Sequence, residues 1–181
     1  MADERQILEL YRQEGKEELA FNLIVREYGE RLYWHIREMV CTHEDTNDLL
    51  QSTLMRVWKG LPTFREESNL YTWLYRIATN EALTFLKKKR IEKILLFSNY
   101  TSAMEKRLKA DPSFDGDKLQ IAIRREILKL PDKQRAIFSL RYFQELKYEE
   151  ISQIMNTSVG ALKASYHLAC QKIKKALEEQ F

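Results

Sequence analysis

Two helix-like segments separated by a helix-breaking loop constrain this chain more than any other feature. Asp45 or Thr46 is expected to cap the first helix, and Gly60 with Pro62 to end it. The apolar residues of this segment recur at helical spacing and form one stripe: Leu50, Leu54, Val57 and Leu61. The pattern predicts an amphipathic helix that ends at a loop over residues 60–69.

A second helix is predicted from Leu70 to about Arg90, with a polar face of unusual composition. Its buried side is expected to contain Leu70, Leu74, Ile77, Ala78, Ala82 and Phe85. Its other side aligns Trp73, Arg76, Asn80 and Lys87. Stacking surface together with phosphate-pairing charge is typical of single-stranded nucleic-acid binding. Taken singly, these residues favour a structural role, because a helical Trp usually packs in a core and terminal cations complement the helix dipole.

Composition predicts an all-helical chain of one domain or two small ones, since 181 residues contain only five Gly and three Pro. The charge is uneven. Residues 1–50 carry 6 Lys and Arg against 12 Asp and Glu, whereas the remainder carries 24 against 15. A basic body favours a polyanionic partner and the acidic head a different one. With no signal peptide or apolar span in view, a cytoplasmic protein is expected.

Catalytic and metal chemistry find little support in the sequence. His35, Cys41 and His43 are the only candidate metal ligands and lack a fourth ligand at zinc-like spacing. Cys41 and Cys170 lie far apart and imply no disulfide framework. Without a Gly-rich phosphate loop or a nucleophile–base pair, we expect no enzyme activity, no cofactor and no metal.

The second half of the chain predicts a separate helical domain. Residues 1–91 form the first domain, residues 92–116 a linker and residues 117–181 the second domain. Within the second, residues 148–155 form a short helix, Asn156 accommodates a left-handed turn, and Ser158 caps a longer final helix. The buried stripe of that helix is expected to contain Leu162, Tyr166, Ala169, Ile173 and Leu177. A short helix, a tight turn and a longer helix form a helix-turn-helix.

The residue order resembles the extracytoplasmic-function (ECF) group of the sigma-70 family of bacterial RNA polymerase sigma factors. Region 2 is matched by Asp45, Asp48-Leu49, Gln51, Arg56, Trp58, Phe64-Arg65, Ser68, Thr72-Trp73-Leu74-Tyr75-Arg76-Ile77-Ala78 and Asn80. Region 4 is matched by Leu130-Pro131, Gln134-Arg135, Phe138, Leu140-Arg141-Tyr142, Tyr148-Glu149-Glu150-Ile151-Ser152, Ile154-Met155 and Ser158 to Lys163. Asn47, Ser52 and Leu54 depart from the region 2 pattern, and Ser165 and Leu168 replace frequent arginines of region 4.

The resemblance implies a transcription initiation factor that binds core RNA polymerase and promoter DNA and is held inactive by an anti-sigma factor. It implies contact with the minus-ten element by Phe64, Arg65, Ser68, Asn69, Trp73, Tyr75, Arg76, Asn80 and Lys87, with a base flipped into a pocket beside Asn80. It implies contact with the minus-thirty-five element by Ser158, Gly160, Ala161, Lys163, Ala164 and His167. It implies polymerase contact by Asp48, Gln51, Met55 and Arg56.

Two alternatives remain open from the sequence. One is a dimeric helix-turn-helix regulator that binds duplex DNA without polymerase. The other is a helical adaptor that binds no DNA and whose basic regions are merely solvated. Promoter-specific transcription with core polymerase distinguishes the initiation factor from both.

Overall fold

The computed structural model describes residues 4–40, 42–95 and 118–179, and within these ranges every regular element is a helix. Most of the predicted linker, from residue 96 onward, lies outside the described residues, as does Cys41. The first module consists of α1 (Glu4–Tyr11), α2 (Glu17–Val40), α3 (His43–Gly60), a 3-10 turn (Leu61–Thr63) and α4 (Leu70–Leu95). The second module consists of α5 (Lys118–Lys129), α6 (Asp132–Tyr142), α7 (Tyr148–Met155) and α8 (Val159–Glu178). The predicted all-α class is confirmed.

Helix α3 begins earlier than predicted. The hydroxyl of Thr42 accepts a hydrogen bond from the backbone amide of Asp45 at 3.1 Å and so acts as the N-cap. The prediction that Asp45 or Thr46 caps this helix is therefore wrong, because both residues lie in its first turn. Its end is as predicted, since the α-helix stops at Gly60 and Pro62 continues into the 3-10 turn.

The buried stripe of α3 also differs from the prediction. Thr46, Leu49 and Thr53 are buried together with Val57, whereas Leu50 and Leu54 are only half-buried. A search for apolar spacing missed this stripe because two of its members are threonines. Thr46 can be buried because its hydroxyl donates to the backbone carbonyl of Thr42 at 2.6 Å. The consequence is that Leu50 and Leu54 face the same side of α3 as Met55, whereas Leu49 faces the core.

The second module contains the predicted helix-turn-helix. Asn156 adopts the left-handed conformation at φ 48° and ψ 52° between α7 and α8. Ser158 caps α8 by accepting a hydrogen bond from the amide of Ala161. The predicted stripe is confirmed in its buried members Leu162, Ala169 and Ile173, while Tyr166 and Leu177 are half-buried.

The two modules pack against each other, with α2 and α4 contacting α6 and α4 contacting α7. Arg135 on α6 is 1% exposed, and its guanidinium donates to the carbonyls of Met39 and Leu128 at 2.8 and 2.7 Å. A salt bridge between Arg124 and Glu38 at 3.1 Å joins the same two surfaces. This packing decides which side of α4 is open to a ligand.

Among the helices described above, none combines the length and the hydropathy that a membrane-spanning segment requires.

Candidate nucleic-acid interface

The loop between α3 and α4 is anchored by the first helix of the chain. The carboxylate of Glu4 accepts a hydrogen bond from the backbone amide of Leu70, at the start of α4. Arg12, just after α1, forms a salt bridge with Glu66, whose backbone is left-handed at φ 57°. The loop therefore keeps a fixed path, which exposes Arg65 and Asn69 and leaves Ser68 half-buried.

Trp73 is held at the edge of this loop by close packing. Its indole packs against the Phe64 ring with centroids 4.9 Å apart and a tilt of 37°. A Cβ on Gly60 would lie 2.9 Å from the indole, a separation that side-chain carbons do not tolerate. Gly60 thus serves the site by admitting the indole, in addition to ending α3. The ring stays half-buried and is not sealed in the core.

An open cleft of about 460 Å³ lies between α3 and α4 and brings Trp73 and Asn80 together. The Asn80 side chain is exposed, so its amide can donate to and accept from a ligand. The remaining lining consists of Arg56, Lys59, Gly60, Thr63, Ile77 and Glu81. An aromatic ring, an amide and two cations around one concave surface can hold a base and its phosphate.

The second module covers the next part of α4. Tyr75 is completely buried, and its hydroxyl donates to the side-chain oxygen of Gln144 at 2.8 Å. Burial is the main reason that the pKa of Tyr75 is raised above its ordinary value. The Nε of Arg76 donates to the backbone carbonyl of Gln153 at 3.0 Å. In this arrangement no DNA strand can reach Tyr75, so its predicted contact with DNA has no support in the structure.

The basic run at the end of α4 divides in the same way. Lys87 is exposed, and its contact with a DNA phosphate stays a prediction. Lys89 is instead half-buried and pairs with Asp45 at 2.6 Å, with its ammonium 4.5 Å from the Phe85 ring centroid. Arg90 pairs with Asp132 of the second module at 2.8 Å.

On the other side of α3 lies an apolar groove, lined by Phe21, Asn47, Leu50, Gln51, Leu54, Met55, Trp58 and Lys59. Met55 and Trp58 remain 55% and 43% exposed and lie together in this groove, so they form an exposed apolar patch. Two of the four predicted polymerase-binding residues, Gln51 and Met55, belong to this groove. Asp48 is exposed but does not line it, and Arg56 lines the cleft on the other side.

The outward face of α8 is open as predicted. A Cβ on Gly160 would have no neighbouring atom within 4 Å, and Ser158, Ala161, Lys163, Ala164 and His167 are exposed. The ammonium of Lys163 lies 5.6 Å from the centroid of the Tyr148 ring. Further along, Lys172 donates to the Gln134 side chain at 3.0 Å, so it packs against α6.

The suspected metal ligands show no metal site in the part of the chain that the structure describes. His35 is completely buried, its Nε2 lies 2.8 Å from the Thr79 hydroxyl, and its ring packs against Tyr75. Burial lowers the pKa of His35 to about 3, which keeps the ring neutral. His43 is exposed and pairs with the Tyr33 hydroxyl at 2.7 Å.

An aromatic and cationic cleft in one helical module, joined to an open helix-turn-helix in the next, defines a two-module DNA-binding protein. Family models for Sigma-70 region 2 and Sigma-70 region 4 match residues 24–91 and 120–173. The chain belongs to the sigma-70 family of RNA polymerase sigma factors, in its ECF group.

Curated relatives agree with this assignment, and solved structures share the fold. The ECF RNA polymerase sigma factor SigW of Bacillus subtilis is 30% identical to this chain, and the match covers 88% of this chain and 90% of SigW. The ECF RNA polymerase sigma-E factor of Escherichia coli is 29% identical, with 88% and 87% covered. The fold is similar to that of CnrH, as seen in its complex with the cytosolic domain of CnrY. The TM-score is 0.67 at 19% identity, and the match covers 98% of this chain and 96% of the other. The fold is also similar to that of the sigma factor RpoE, as seen in its complex with the anti-sigma factor NepR from Bartonella quintana. The TM-score is 0.66 at 20% identity, and the match covers 87% of this chain and 96% of the other.

Proposed function

We propose that this chain directs promoter-specific transcription initiation by binding core RNA polymerase and opening promoter DNA at the minus-ten element. The cleft that contains both Trp73 and Asn80 carries this proposal. An unpaired base can stack near the indole while the exposed amide reads its edge. Extruding a base costs a few kcal/mol, and such contacts offset that cost.

Recognition is divided between the two modules. The exposed face of α8 docks in the major groove of the minus-thirty-five element, where the small residues Gly160 and Ala161 allow close approach and Lys163 contacts phosphate or guanine. Residues 1–91 read the minus-ten element, residues 117–181 the upstream one, and residues 92–116 join them. Two weak contacts on one chain reinforce each other through effective concentration.

The apolar groove on α3 is the proposed polymerase-docking surface. Its exposed Met55 and Trp58 are typical of a protein interface, in which Met and aromatic residues are enriched. Gln51 contributes a polar contact at its edge. The protein then acts in the bacterial cytoplasm as an initiation factor without enzyme activity, and RNA synthesis is catalysed by the polymerase.

An anti-sigma factor is the proposed inhibitory partner. One of the solved structures named above is the sigma factor RpoE in complex with the anti-sigma factor NepR. The RpoE chain of that complex covers 87% of this chain with a TM-score of 0.66, so a chain of this fold can be bound by an anti-sigma factor.

Transcription in vitro with the double variant Trp73→Ala, Asn80→Ala tests the minus-ten assignment. We expect this variant to bind polymerase normally but to fail to open the promoter. Promoter opening is measured by the permanganate reactivity of unpaired thymines. Trp34→Ala is the matched control, because it removes an indole that is 40% exposed on α2 and lines neither the cleft nor the groove. Normal opening by the double variant would contradict the assignment of this surface.

Trp58→Ala provides the reciprocal result. It removes an indole from the groove and leaves the cleft intact, so polymerase affinity should fall. A wild-type chain that binds duplex DNA as a dimer and supports no polymerase-dependent transcript would instead favour the helix-turn-helix regulator.

A further inference from the structure

Arg56 lies on a different surface from its neighbour Met55. Met55 lines the apolar groove on one side of α3, whereas Arg56 lines the cleft that contains Trp73 and Asn80. Successive residues of a helix are rotated by about 100° about its axis, which is enough to separate their partners. The motif alone could not show this division.

A half-buried carboxylate fixes the direction of the Arg56 side chain. The Nε of Arg56 lies 2.7 Å from one oxygen of Glu81, on α4. The other oxygen of Glu81 accepts a hydrogen bond from the Ser52 hydroxyl at 2.7 Å. The Glu81 side chain is only 13% exposed, so the pair ties α3 to α4 across the cleft.

This contact leaves most of the Arg56 side chain exposed to solvent. The pair engages Nε, while the Arg56 side chain as a whole remains 65% exposed. A guanidinium has five donors, and its two terminal nitrogens suit the two oxygens of a phosphate. Lys59 adds a second cation to the same cleft.

We propose that Arg56 binds the backbone phosphate of the DNA strand whose base enters the cleft beside Trp73 and Asn80. This inference rests on the proposed function and assigns Arg56 to the promoter surface in place of the polymerase surface predicted from the sequence. Because the Arg56 side chain is 65% exposed, its pair with Glu81 adds little to stability by charge attraction, and its clearer effect is to hold the guanidinium at the cleft.

Arg56→Gln tests the proposal in the holoenzyme assembled from the full chain and core polymerase. The probe is a fluorescent fork-junction DNA with a randomised single-stranded segment, titrated between about 50 and 200 mM KCl. Loss of one single-strand phosphate contact should weaken binding about tenfold and lower the slope of log affinity against log salt by about 0.7. Affinity for core polymerase should be unchanged. Arg56→Lys should retain the salt slope and lose part of the affinity.

Arg26→Gln is the matched control. It removes one positive charge and breaks one arginine–glutamate pair, with a side chain 67% exposed on α2 and outside the cleft. We expect it to leave both DNA affinity and salt slope unchanged.

Two results would overturn the assignment of Arg56. One is an unchanged salt slope in Arg56→Gln together with reduced affinity for core polymerase, which would return Arg56 to the polymerase surface. The other is an equal effect of Arg26→Gln, which would show that only net charge matters. If the wild-type holoenzyme opens promoters normally and Arg56→Gln has an unchanged salt slope, only the inference about Arg56 is refuted and the proposed function stands. Failure of the wild-type chain to support promoter-specific transcription refutes the proposed function with it.

Discussion

Two neighbouring surfaces of α4 carry predicted DNA-binding residues but have opposite surroundings. The surface with Trp73 and Asn80 borders an open cleft. The surface with Tyr75 and Arg76 is covered by the second module, through Gln144 and the carbonyl of Gln153. A strand can reach the first directly, whereas on the second Tyr75 is buried and the Nε of Arg76 is already bonded to the carbonyl of Gln153.

The difference separates two uses of one helix. The open surface has the groups that a base and a phosphate require. The covered surface joins the modules through the bonds of Tyr75 to Gln144 and of Arg76 to Gln153. The following predictions test whether these surfaces are as independent as the contacts indicate.

The largest expected effect follows from removing the buried guanidinium beneath the covered surface. Arg135→Met deprives the carbonyls of Met39 and Leu128 of their donor in a site that is 1% exposed. Unfolding in urea should show a loss of about 3–5 kcal/mol. Arg26→Met, at an exposed pair, should lose less than about 1 kcal/mol. A loss of similar size in both variants would contradict the anchoring role of Arg135.

The next effect is a dependence of stability on pH through His35, which packs under Tyr75. Its folded-state pKa of about 3 lies below the ordinary value of 6.5, so the folded protein excludes the proton that the unfolded chain binds. This contribution to stability is present above pH 6.5 and declines as the pH falls toward 3. Between pH 7 and 5 the free energy of unfolding should drop by about 2 kcal/mol.

His35→Gln isolates this contribution, because it keeps a polar partner for Thr79 and cannot titrate in this range. Glu38 acts in the opposite direction. Burial, partly offset by Arg124, raises the pKa of its carboxyl group, so its contribution grows as the pH falls. The difference between wild type and His35→Gln cancels Glu38 and the other carboxylates. Equal pH dependence in the two proteins would refute the role of His35.

Local features of the fold were predictable from the sequence, whereas contacts between modules were not. The turn at Asn156 and the cap at Ser158 depend on residues within a few positions of one another. Thr42 was missed as a cap because Asp45 and Thr46 offered equally good side chains nearby. Helical spacing placed Trp73, Arg76 and Asn80 on one face, but periodicity carries no information on what covers that face.

The candidate site shows the same limit. The sequence identified Trp73 and Asn80, which do meet at one cleft, and it also selected Tyr75, which is buried. The signal that could have located Arg56 was Glu81, an acid within a predicted nucleic-acid surface. An acid at that position requires a cationic partner, and only the packing of α3 on α4 identifies which one.

A smaller effect is expected from the hydrogen bond between Tyr75 and Gln144, which joins the two modules directly. Tyr75→Phe and Gln144→Ala each remove it, and each should lower the free energy of unfolding by about 1 kcal/mol. Because both changes break the same bond, the double variant should lose little more than either single variant. Additive losses would show that the two residues are energetically independent and that the bond contributes nothing.

The smallest effect concerns the open face of α8, the counterpart in the second module of the cleft. Lys163→Ala removes one candidate phosphate contact, so the salt slope of holoenzyme binding to an upstream duplex should fall by about 0.9. The duplex is one selected by the wild-type holoenzyme from a randomised library. Lys174→Ala is the control, because it removes the same charge from α8 where Lys174 pairs with Glu178 at 3.7 Å. An unchanged slope in Lys163→Ala would exclude the phosphate contact. An equal change in Lys174→Ala would show that the slope depends only on net charge, because a docked α8 should contact DNA through Lys163 and not through Lys174.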